Sequence, residues 1–170
     1  MIKYATPLLI TASLVLAGCA KKPPEELPPA PVGTTTTPPA PPVPQGPGYA
    51  PGSQGDFLAN TISDRILFDT DRFNVDPQDQ VILQSQAQWL AQHPNARITI
   101  EGHADERGTR DYNLALGERR ANAAKNYLAS LGVSPSRMTT VSYGKERPEA
   151  LGSNPSAWAQ NRRAVSIVVR

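Results

Sequence analysis

Cysteine occurs once in the 170-residue chain, at Cys19, so an internal disulfide and a CxxC metal motif are both excluded. Net charge is scarce as well: 17 Lys and Arg against 15 Asp and Glu leave +2, with the two signs interspersed. Tracking a phosphate backbone needs a dense basic stripe, so nucleic acid is excluded as a partner. The apolar run from about Pro7 to Ala17 falls short of the roughly 20 residues of a membrane-crossing helix. There is no G-x-S-x-G elbow, no HExxH pair and no internal repeat, which removes common hydrolase signatures.

Proline, by contrast, is abundant, and 12 of the 18 fall between Pro23 and Pro51. This divides the chain into three parts. Residues 1–18 carry an early Lys3, the apolar run and small residues before Cys19, the layout of a secretory signal peptide. Leu16-Ala17-Gly18-Cys19 resembles a bacterial lipobox. That resemblance implies cleavage before Cys19 and acylation of it, and Ala20, which is not the inner-membrane retention aspartate, implies an outer-membrane destination. Several acyl chains, each buried CH₂ contributing about 0.8 kcal/mol, make a durable anchor where one would not. Residues 19–56 have almost no aliphatic bulk and read as a disordered tether, extended where polyproline II prevails, with a reach on the order of 100 Å. A PxxP ligand is the rival reading of this stretch, disfavoured after a signal peptide.

Residues 57–170 carry the apolar periodicity of a folded domain. A strand is expected over Asn60–Phe68, then a helix from Pro77, capped by Asp76, to about His93, where Pro94 stops it. Ile82, Leu83, Trp89 and Leu90 share its apolar side, and Gln80, Gln84, Gln88 and Gln92 the solvated one. Arg97–Glu101 alternates as a half-buried strand. A second helix runs from Asp111 or Tyr112 to Leu131, ended by Gly132. Strands at Met138–Tyr143 and Ala164–Val169 flank a short helix beginning near Asn154-Pro155. The order β-α-β-α-β-(α)-β makes a two-layer α/β sandwich the natural architecture.

Charge and glycine concentrate at the strand-to-helix junction, Glu101-Gly102-His103-Ala104-Asp105-Glu106-Arg107-Gly108-Thr109. On the following helix Leu116, Ala123, Ala124, Tyr127 and Leu131 define the expected buried stripe, and Arg120 falls in its middle. A guanidinium there needs an anion or a water-lined cleft, because an unpaired buried charge costs several kcal/mol. Two readings are open: an internal salt bridge to Asp105, Asp69 or Glu101, or Arg120 and Asp105 facing each other across a pocket suited to a zwitterion. His103 with Asp105 and Glu106 lacks the spaced second ligand of a zinc site. It is expected instead to bond backbone at the strand end, and His93 to sit at a helix C-terminus. The same cluster offers carboxylates for a cell-wall hydrolase, but nothing separates an acid from a base. Arg162 and Arg163 have three candidate roles: capping the short helix, pairing with site carboxylates and touching ligand.

Gly102-His103-Ala104-Asp105-Glu106-Arg107-Gly108-Thr109, Tyr112-Asn113, Leu116-Gly117-Glu118-Arg119-Arg120-Ala121, Phe68-Asp69, Tyr143-Gly144-Lys145-Glu146 and Asn161-Arg162-Arg163 together resemble the OmpA-like domain family, in its lipid-anchored peptidoglycan-binding branch. The resemblance spans nearly all of the expected domain. It implies a four-stranded sheet of order 1-4-2-3 with the last strand antiparallel to the others. It further implies a non-catalytic domain without cofactor or metal that holds meso-diaminopimelate of peptidoglycan, Asp105 taking the ammonium and Arg120 the carboxylate. Phe68, Asp69, Asn113, Leu116 and Arg162 would line or brace the pocket. The implied setting is the periplasmic side of the outer membrane and the Tol-Pal system, with the TolB propeller as second partner and a part in constriction during division. A hydrolase and a purely protein-binding envelope module are the alternatives.

Overall fold

The computed structural model describes residues 48–169; Cys19 and the tether up to residue 47 lie outside them. The described chain runs α1 (Gln54–Asn60), β1 (Arg65–Leu67), α2 (Pro77–Gln92), β2 (Arg97–His103), α3 (Arg110–Ser130), a 3-10 turn (Pro135–Arg137), β3 (Met138–Gly144), α4 (Pro155–Asn161) and β4 (Arg163–Val169). The sheet has the order β1-β4-β2-β3. β4 is antiparallel to both β1 and β2, and β2 is parallel to β3. Fold class, strand order and the sense of the last strand are therefore as expected.

Local chemistry accounts for the element ends. The Asp76 carboxylate accepts from the backbone N–H of Gln78 and Asp79, with Pro77 at the first helical position. Thr109 Oγ1 accepts from Tyr112 N–H and starts α3, and Asn154 Oδ1 accepts from Ala157 N–H and starts α4. Beyond α3, Gly132 takes φ +93°, the left-handed turn that glycine allows at least cost. Leu83, Trp89 and Leu90 of α2 and Ala121, Ala124 and Leu128 of α3 are buried with Ile98 and Ile100 of β2 in one core.

Three expectations need correction. The boundary expected at Phe57 cuts through α1, a helix with little apolar periodicity. Tertiary bonds hold it: Gln54 Oε1 accepts from Val168 N–H of β4 at 2.7 Å, and Phe57 packs edge-on to Trp89 with centroids 5.0 Å apart. The first strand is three residues, not nine, because Asn60 still belongs to α1 and Ile62 is 64% exposed, its N–H bonded to Ser85 Oγ. The buried stripe of α3 keeps Leu116, Arg120 and Ala124 as expected but is rotated at its edge: Gly117, Ala121 and Leu128 are also buried, while Leu131 is exposed and Ala123 and Tyr127 are half-buried.

That rotation has a cause in β2. A Cβ on Gly102 would land on the Gly117 carbonyl oxygen, and one on Gly117 would stand 2.8 Å from the Gly102 oxygen. The two glycines thus let α3 press its backbone on the strand. This close crossing lies one turn before Arg120 and one residue before His103, so it sets the depth of the site.

Candidate functional site

Arg120 is wholly buried and, among the described residues, forms no salt bridge. Its Nε donates to Arg72 O at 2.9 Å, Nη1 to His103 O at 2.8 Å and Nη2 to Asp69 O at 3.0 Å. Its guanidinium carbon lies 5.2 Å from the Phe68 ring centroid. None of the three expected carboxylate partners, Asp105, Asp69 and Glu101, is used; backbone carbonyls of two loop residues and a strand end are. A guanidinium has five N–H donors, so one hydrogen on each terminal nitrogen is left over. Burial and the neighbouring Arg162 charge lower its pKa to about 10, which still leaves it cationic at neutral pH.

A cavity of about 240 Å³ opens beside it, lined by Asp105, Arg107, Asn113, Leu116 and Arg120, and by Thr70, Asp71, Gly108 and Tyr112. Asp105 is buried, and its carboxylate accepts from Arg107 Nη2 at 2.7 Å and Nε at 3.0 Å, with Arg162 Nη1 at 3.5 Å. Burial alone would raise this carboxyl, but the Arg107 and Arg162 hydrogen bonds hold it below its ordinary value. Asn113 Nδ2 donates to the Arg107 and Thr109 carbonyls and so fixes the loop between them. Arg162 Nε donates to Phe68 O at 2.8 Å, joining the start of β4 to the end of β1.

Of the residues singled out from sequence, Asp105, Arg120, Asn113 and Leu116 meet at the cavity. Phe68, Asp69 and Arg162 stand behind it: Phe68 packs beneath the Arg120 guanidinium, Asp69 contributes its carbonyl, and Arg162 braces Asp105. Sequence reasoning missed Thr70, Asp71 and Tyr112 as wall residues and did not place Arg107 in the pocket. Asp71 adopts φ +55°, and its Oδ1 accepts from Tyr112 Oη at 3.2 Å. The second aspartate of Asp69-Thr70-Asp71 was the available signal.

The remaining charged residues disperse. His103 is 2% exposed, its ring beside Tyr143 and its Nε2 3.6 Å from a Glu101 carboxylate oxygen, and among the described residues neither ring nitrogen has a partner within hydrogen-bond geometry. The His103 backbone carbonyl, by contrast, is engaged by Arg120. Burial and the Arg163 and Arg147 charges push the ring pKa down to about 4. Glu106 turns outward to accept from Trp158 Nε1 at 2.9 Å. Arg163 diverges from Arg162 toward Glu149 at 2.9 Å. Among the described residues no group of three His, Cys, Asp or Glu side chains is placed to hold a metal ion. His93 caps α2, its Nδ1 2.9 Å from Trp89 O and its Nε2 3.2 Å from an Asp56 carboxylate oxygen of α1.

The model of the OmpA family matches residues 67–162, from the last residue of β1 to the arginine that braces Asp105. A peptidoglycan-associated lipoprotein from Rhizobium meliloti (strain 1021) is 51% identical over 162 residues, covering 95% of this chain and 85% of that one. The chain belongs to the OmpA family and, within it, to the peptidoglycan-associated lipoproteins. A relative of the same description from Pseudomonas aeruginosa is 46% identical over 116 residues, 68% of either chain. The crystal structure of the peptidoglycan-associated lipoprotein from Burkholderia pseudomallei matches with TM-score 0.62 and 47% identity, over 66% of this chain and 93% of that one. The C-terminal domain of Helicobacter pylori MotB, at 19% identity and TM-score 0.58, covers 63% of this chain and 84% of that one and shares the fold.

Proposed function

We propose that this protein binds peptidoglycan through meso-diaminopimelate and tethers the outer membrane to the wall. The observation that carries the reading is the cavity, which Asp105 and Arg120 both line, with two Arg120 N–H groups left unused by the three carbonyls. The side-chain end of diaminopimelate bears an ammonium and a carboxylate on a single carbon. The ammonium pairs with Asp105 and the carboxylate with Arg120, each charge-assisted contact contributing about 1.5 to 3 kcal/mol before ordering losses. Single-stem affinity is modest, and anchoring through a lipidated Cys19 compensates by confining the domain near the wall at high effective concentration. The relatives, named as peptidoglycan-associated lipoproteins, support the lipid anchor and the wall as partner.

The domain works by binding, not catalysis. Asp105 is held ionised by two guanidiniums and Glu106 points elsewhere, so the pair lacks the divergent acid and base roles a glycosidase needs. TolB is the second partner within the Tol-Pal system, through which the tether acts in envelope integrity and constriction at division.

Co-sedimentation with purified peptidoglycan tests the reading: Asp105→Asn, folded as wild type, loses binding, and free diaminopimelate competes for it. One observation favours a second reading, a purely protein-binding module: three carbonyls already satisfy much of Arg120. Wall binding that free diaminopimelate leaves undisturbed decides for that alternative, and release of soluble fragments decides for a hydrolase.

A further inference from the structure

The Asp105 carboxylate faces the cavity already engaged. Arg107 takes both of its oxygens in a bidentate fork, and the Arg107 backbone N–H donates to Oδ1 at 3.1 Å. The Arg107 side chain is 41% exposed and that of Asp105 9%, so the guanidinium covers the carboxylate from the solvent side. Arg162 approaches the same carboxylate but is itself held by the Phe68 carbonyl and largely buried. Arg107 is the movable one of the two. Its other contacts are a 3.3 Å bond from Nη2 to Thr70 Oγ1 and stacking 4.3 Å over the Trp158 ring, both near the surface.

An ammonium approaching Asp105 therefore meets a cation in its place. Exchanging a bidentate guanidinium for a bare ammonium leaves Arg107 without its anion and gains little. A ligand that carries a carboxylate on the carbon bearing the ammonium supplies a new anion within reach. Resting on the function proposed above, we infer that Arg107 is a specificity-determining residue: it occupies the cation position on Asp105 and yields it only to an ammonium that brings a carboxylate for the displaced guanidinium. The ligand carboxylate then lies between Arg107 and the spare Arg120 N–H groups. Simple amines are rejected because they displace Arg107 without compensating it.

Calorimetric titration of the full mature chain with meso-diaminopimelate and with cadaverine, the same diamine without carboxylates, tests this. Wild type prefers diaminopimelate. Arg107→Gln frees Asp105, so cadaverine binds about tenfold tighter, the equivalent of one charge-assisted bond, and the preference narrows. Arg107→Lys keeps the cation without the fork and gives an intermediate ratio. Adding Asp105→Asn to Arg107→Gln removes the cadaverine gain. An unchanged ratio in Arg107→Gln, or a cadaverine gain that survives Asp105→Asn, overturns the inference and leaves diaminopimelate recognition standing. Absence of diaminopimelate binding to wild type overturns both.

Discussion

Replacing Arg120 by methionine retains side-chain length and packing against Phe68 while deleting three hydrogen bonds, and the structure sets the scale of the loss. The carbonyls of Asp69, Arg72 and His103 lose their donor together, two from the β1–α2 loop and one from the end of β2. A hydrogen bond to a charged group contributes about 1.5 to 3 kcal/mol, and the one stranded buried carbonyl, that of His103, costs about 1 to 3, whereas Asp69 and Arg72 lie in an exposed loop where water replaces the donor. Removing a desolvated charge returns part of this, since taking a guanidinium out of water is itself unfavourable. The expected net loss is about 3 kcal/mol, a large share of the roughly 5 to 15 that hold a domain together. For a domain of this size that is a fall in melting temperature of about 10 to 15 °C. Lysine keeps the charge, but one ammonium cannot span three carbonyls on fixed bearings, so Arg120→Lys recovers only part of the loss. Thermal unfolding followed by circular dichroism, run beside peptidoglycan co-sedimentation, checks both. An Arg120→Met protein as stable as wild type would refute the claim that this side chain ties the loop to the sheet. Asp105→Asn, by contrast, is expected to cost binding far more than stability.

Two buried titrating groups are expected to oppose each other in acid. His103 titrates near pH 4 instead of 6.5, so its stabilising share is complete above 6.5 and is lost as pH falls toward 4; Asp79, raised by burial from 3.8 to about 6, gives a share complete below 3.8 and lost as pH rises through 6. Urea unfolding between pH 4 and 6.5 should show a steeper acid loss than wild type in Asp79→Asn and a shallower one in His103→Gln, and parallel curves would count against both assignments. Gly117→Ala forces α3 off β2 and should cost about 1 to 3 kcal/mol despite alanine's better helix propensity, read from the denaturation midpoint. A chain beginning at Phe57 loses the Ser53 cap, the Gln54 bond to Val168 and the Asp56 bond to Trp89 Nε1, and should melt several degrees lower than one beginning at residue 48.

Much of this fold was legible because its signals are local. Asp76-Pro77, Pro94, Gly132 and Asn154-Pro155 punctuate the chain with residues whose own dihedrals and capping atoms decide where helices start and stop, and the observed ends fall within a residue or two of them. α1 was illegible because its anchors are not local. Gln54 and Asp56 find their partners on β4 and α2, far along the chain, and no apolar period announces them. The α3 stripe was misplaced for a related reason: the pattern of apolar residues says which side is greasy, but Gly117 is what the strand touches.

The charged junction from Glu101 to Ala121 shows the same division. Its sequence by itself determined that a cation and a carboxylate would stand near one strand end and that Arg120 would point inward. These follow from residue type and helical period, which the backbone carries wherever it goes. Only the tertiary structure decided how each charge is satisfied: Arg120 by carbonyls instead of carboxylates, Asp105 by Arg107 and Arg162, with Asp71 and Tyr112 completing the wall. Those partners lie tens of residues apart, and a buried charge takes whichever donor or acceptor the packed chain brings within about 3 Å, which one-dimensional spacing does not encode.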